Sequence, residues 1–116
     1  MKPKIICFDL DNTICTTISS NYKKSKPKKK IIHFINQLYD QGFYIKIFTS
    51  RYMGRTKDKV TLAKKKDTGH TKKQLKNWGL KYHDLFLGKP SYDIFIDDKS
   101  LFFKKNWINE LKNNLK

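Results

Sequence analysis

Short apolar runs rich in β-branched and aromatic residues recur along this chain, separated by stretches with helical spacing. Ile5-Ile6-Cys7-Phe8, Phe43 to Phe48, Asp84 to Leu87 and Tyr92 to Ile96 read as strands. Ile31, Ile32, Ile35 and Leu38 fall on one helical face ahead of Gly42, which predicts a helix over 28–41. Thr71-Lys72-Lys73-Gln74 has the spacing of a capping box, and Leu75, Trp78 and the terminating Gly79 complete a short helix. Trp107, Ile108, Leu111 and Leu115 line one face of another. Strands alternating with helices imply a parallel sheet with right-handed crossovers, and hence an α/β, Rossmann-like fold in three layers. Residues 12–29 are polar and read as a loop or short hairpin over the strand ends. Residues 51–70 lack clear periodicity and read as a long loop, with room for a helical turn or two over Lys57 to Lys66.

The acidic residues are placed against this frame. The chain has ten Asp and Glu against twenty-six Lys and Arg, yet four of the ten stand just beyond two apolar runs. Asp9 and Asp11 follow the first run and Asp97 and Asp98 the last. In open parallel sheets ligands bind beyond the carboxyl ends of the strands, so these acids would meet at one edge. A magnesium ion takes oxygen ligands from one or two carboxylates plus a substrate phosphate, and this edge would supply them.

Asp9-Leu10-Asp11-Asn12-Thr13, Thr49 at the end of Phe43 to Phe48, Lys89 in Leu87-Gly88-Lys89-Pro90, and Asp97-Asp98 stand in the order of the four motifs of the haloacid dehalogenase superfamily. The chain resembles that superfamily's phosphatases without a cap domain. It is more narrowly similar to the small phosphatases of bacterial capsular polysaccharide gene clusters, through Asp9 to Cys15, Thr49-Ser50-Arg51 with Met53, and Gly88-Lys89-Pro90. The resemblance implies that Asp9 attacks phosphorus, that Asp11 protonates the leaving oxygen and then deprotonates water, and that Thr49 and Lys89 hold and neutralise the phosphoryl group. It further implies magnesium held by Asp9, Asp11, Asp97 and Asp98, and a flap over the site from residues 12–29. Ser50, Arg51 and Arg55 are candidates for contact with the substrate. Arg51 and Arg55 are the only arginines, and a guanidinium grips phosphate or carboxylate in a bidentate fork.

At 116 residues a single domain is expected, too short for a catalytic domain with an added lid. No long hydrophobic segment precedes Ile5, so a cytoplasmic protein without a membrane span is expected, with Cys7 and Cys15 as reduced thiols. The net charge of +16 raises a nucleic-acid partner, with Lys23 to Lys30 as the strongest anion-binding patch. Almost all of that charge is lysine, alongside abundant Ile and Asn, a bias that an AT-rich genome produces without any selection for binding. The expected partner is therefore a small phosphorylated metabolite, with a neighbouring subunit as a further contributor to substrate choice. A polynucleotide phosphatase and a non-catalytic anion-binding module are the alternatives. His33, His70 and His83 show no ligand spacing and read as surface or packing residues.

Overall fold

A computed structural model describes residues 4–116. Strands β1 (Ile5–Asp9), β4 (Tyr44–Thr49) and β5 (Asp84–Leu87) form a parallel sheet in the order β1-β4-β5, and β2 (Cys15–Thr16) pairs antiparallel with β3 (Lys26–Pro27) in a separate hairpin. Asp9 lies level with Phe48, and Thr49 level with Leu87, so the three strands end together at one edge. The chain is α/β and Rossmann-like, with a central parallel sheet flanked by helices and no cap domain among the described residues. None of its described helices is long and apolar enough to cross a membrane.

Alternation along the strands divides the sheet into two unlike faces. Ile6, Phe8, Ile45 and Ile47 are buried in one core with Ile32, Ile35 and Leu38 of α1 (Lys29–Asp40), and with Leu75 of α3 (His70–Asn77). Trp107 of α4 (Trp107–Asn114) closes this core, its ring edge-on to Phe8 at 6.2 Å and to Phe34 at 6.3 Å. The opposite face is much less covered: Ile5 is 61% exposed and Phe86 45%, and the Lys46 ammonium lies over the rings of Tyr44 and Phe86.

Three local expectations differ from what forms. Within 51–70 there is a 3₁₀ turn at Gly54–Thr56 and a full helix, α2 (Val60–Asp67). Only Ala63 and Asp67 of α2 are buried, so it carries no apolar stripe to read. α3 begins one residue before the capping box, with Gly69 as its cap; Thr71 donates both its amide and its hydroxyl to the Asp67 carboxylate instead.

The largest difference is at Tyr92 to Ile96, which forms no strand. Ile94 is 79% and Ile96 91% exposed. A parallel strand needs a crossover of about a dozen residues to return to the starting edge, and β5 ends only at Leu87. Residues 88–91 are too few to make that return.

Candidate active site at the carboxyl edge of the sheet

Asp9 ends β1 with a half-exposed carboxylate. Oδ1 faces the Lys89 ammonium at 3.4 Å, and Oδ2 accepts from the Thr13 hydroxyl at 3.1 Å. The turn that brings Thr13 back over the strand end runs through Asn12 at φ 62°, a left-handed position that Asn tolerates. Lys89 is placed from the other side of the sheet, its amide donating to the carbonyl of Thr49. Burial works against its charge, but the Tyr92 side chain and the Asp9 carboxylate outweigh it, and the Lys89 pKa is raised above the ordinary lysine value. Its ammonium lies over the rings of Tyr92 and Phe95 at 5.2 and 5.0 Å.

Asp11 is held quite differently. Arg51, with no exposed surface at all, clasps it through Nε at 3.0 and 3.2 Å and Nη2 at 2.9 Å. The remaining donors of Arg51 reach Gln74 Oε1 at 2.7 Å, Thr71 Oγ1 at 3.2 Å and Ser25 Oγ at 3.3 Å, and the Tyr22 ring stacks on the guanidinium at 5.0 Å. Thr17 adds a 2.5 Å bond from its hydroxyl to Asp11 Oδ1. Among the described residues Oδ2 of Asp11 accepts from Nε alone, and so keeps capacity for a further partner. Nearby, burial pushes the Cys15 thiol above its ordinary pKa.

Arg51, expected against the substrate, lies instead in the interior beneath Asp11. Its guanidinium is enclosed and fully engaged, so it fixes Asp11 and leaves nothing free for a leaving group. Thr49 is also buried, its hydroxyl oxygen accepting the Arg51 amide at 3.1 Å, while Ser50 donates to the Pro90 carbonyl. Arg55 does lie at a surface, stacked on Tyr22 and Tyr52, in an open cavity of about 480 Å³ shared with Lys23 and Lys66. Neither Asp9 nor Asp11 lines that cavity. The contributions of Ser25, Thr71 and Gln74 were not anticipated. The i, i+3 placement of Thr71 and Gln74 on one helix face was the usable signal, and it was read as a cap.

Asp97 and Asp98 do not join this edge. They lie in the exposed stretch after Ile96, where Asp97 accepts from the Lys99 amide two residues on, and no group of three or more acidic, His or Cys side chains gathers to hold a metal ion among the described residues. As placed in one chain, with Asp9 facing Lys89 and Asp11 turned onto Arg51, the four carboxylates do not fit a magnesium ion, which demands converging oxygens in near-octahedral order.

No family model matches the chain, and none of the curated proteins is similar enough to match it. A crystal structure of a target protein from Vibrio cholerae is similar, with a TM-score of 0.73 and 25% identity over 97% of this chain and 99% of that one. The likeness therefore extends over the whole fold, the 92–116 region included.

Proposed function

We propose that the chain is a phosphomonoesterase of the haloacid dehalogenase type, acting in the cytoplasm on a sugar phosphate or related small metabolite of surface-polysaccharide synthesis. The observation that carries the reading is Asp9: a half-exposed carboxylate at the carboxyl edge of a parallel sheet, 3.4 Å from the ammonium of Lys89, which the loop after β5 brings back across the end of β4. A carboxylate of this kind attacks phosphorus to form an aspartyl phosphate while the P–O bond to the leaving group breaks. Asp11 gives that oxygen its proton, then takes one from the water that attacks the aspartyl phosphate and releases inorganic phosphate. Arg51 holds Asp11 in place through both half-reactions, and Lys89 balances the negative charge that gathers around phosphorus. Magnesium dependence, which the resemblance implies, requires Asp97 or Asp98 beside Asp9.

Asp9→Asn should leave the fold intact and abolish release of phosphate, and beryllofluoride should add to Asp9 in the unaltered protein. A folded Asp9→Asn variant with full turnover would refute the assignment. One observation favours a second reading, a polynucleotide phosphatase: Lys23, Arg55 and Lys66 set three positive charges around one open cavity, suited to a phosphate backbone. Steep loss of kcat/KM with salt would select that reading over the small metabolite.

A further inference from the structure

We propose that two copies of this chain exchange residues 92–116, so that the segment Asp93 to Asp97 of one copy adds to the free edge of β1 in the other and brings Asp97 and Asp98 to the other's Asp9. The catalytic part of this statement rests on the phosphatase reading; the exchange itself does not.

Among the described residues β1 is the terminal strand of its sheet, with one edge unpaired. Unpaired edges of this kind template a further strand. Tyr92 to Ile96 has the composition of a strand but lies uncovered, with Ile94 at 79% and Ile96 at 91% exposed. Set parallel to β1 with Asp97 level with Asp9, Phe95 falls beside Cys7, and Ile94 and Ile96 fall beside Ile6 and Phe8. Alternation then turns both isoleucines onto the covered face, next to the core that Trp107 already closes.

The chain cannot make this pairing with itself. Leu87 lies level with Thr49, above the Asp9 level and two strands away from β1. Asp93 would have to stand beside Ile5, about 16 Å down the strands and about 14 Å across them, roughly 22 Å in a straight line. Six fully extended residues from Leu87 reach at most about 20 to 22 Å, which leaves nothing for the path around the ends of β4 and β1. Antiparallel addition would be within reach, but it would carry Asp97 to the far end of β1, away from Asp9. Hinges too short to close within one chain are what drive exchange between copies. In the exchanged pair α4 travels with the segment, so Trp107 packs against the other copy's Phe8 and Phe34 as it does here within one chain.

The test uses the whole protein. Light scattering should give twice the chain mass. Phe95→Cys, at an exposed position, should form a disulfide with Cys7 on mild oxidation, and in a population refolded from mixed ¹⁴N and ¹⁵N chains the linked peptides should carry both labels. Phe95→Cys with Cys7→Ser should not form it. A monomer at tens of micromolar, or a Cys7 link found only within single chains, would overturn the exchange. Refolding Asp9→Asn together with Asp97→Asn should restore turnover that neither has alone, because each hybrid pair holds one intact site. A linked dimer that shows no turnover, even without substitutions, would keep the exchange and refute the phosphatase reading. An unsubstituted enzyme that turns over while the mixture stays inactive would overturn the exchange.

Discussion

The two acidic pairs differ most in what surrounds them. Asp9 and Asp11 sit on a strand end and a tight turn, and Asp11 is gripped by an arginine whose other donors are spent on Ser25, Thr71 and Gln74. Asp97 and Asp98 have no support beyond their own turn, and the apolar residues before them face outward. One half of the edge is built to hold its geometry before anything binds; the other half waits for a partner. The difference teaches that two acidic pairs with the same local sequence signature are held very differently once packing and chain connectivity act on them.

Arg51→Met should break the contrast most severely. It leaves the Asp11 carboxylate and the Gln74 and Thr71 oxygens without their shared donor in a buried setting, and about 3 to 5 kcal/mol should be lost in denaturant unfolding. An Arg51→Met protein as stable as the parent would show that the enclosed pair is no more than a surface contact. Gly88→Ala probes the junction between the two halves. Gly88 has φ +105°, and an added Cβ would meet Val60 Cγ1 at 3.0 Å, so about 1 to 3 kcal/mol of destabilisation is expected, measured by thermal melting. Asp97→Asn should be nearly silent in unfolding, within about 0.5 kcal/mol, while turnover is lost. A large loss of stability there would mean that Asp97 is as firmly built in as Asp11.

The sheet strands and α1, α3 and α4 were legible because each sets buried or partly buried apolar residues against the one core, Leu85 of β5 and Ile108 and Leu111 of α4 among them. Ile32, Ile35 and Leu38 announce α1, and the Ile45–Ile47 alternation announces β4. The segment Tyr92 to Ile96 has the same local signature, but periodicity cannot say which edge, or which chain, will receive it. Arg51 was misplaced for a different reason. Arginine is seldom fully buried unless paired, and its acceptors come from the first turn, the hairpin and α3, residues far apart in sequence whose meeting no local pattern records. α2 was legible only as a helical turn or two over Lys57 to Lys66, because a helix that buries just Ala63 and Asp67 carries no apolar stripe to mark its extent.

The enclosure of Arg51 also bears on how the chain folds. A guanidinium cannot leave water until its acceptors are in place, because the desolvation of an unpaired charge outweighs what partial contacts return. The turn after β1, the hairpin that carries Ser25, the end of β4 and the first turns of α3 must therefore arrive together. Closing of this edge is then a single late and cooperative event, and amides of Arg51 and Thr71 should exchange with solvent only through the same opening, with one shared opening free energy.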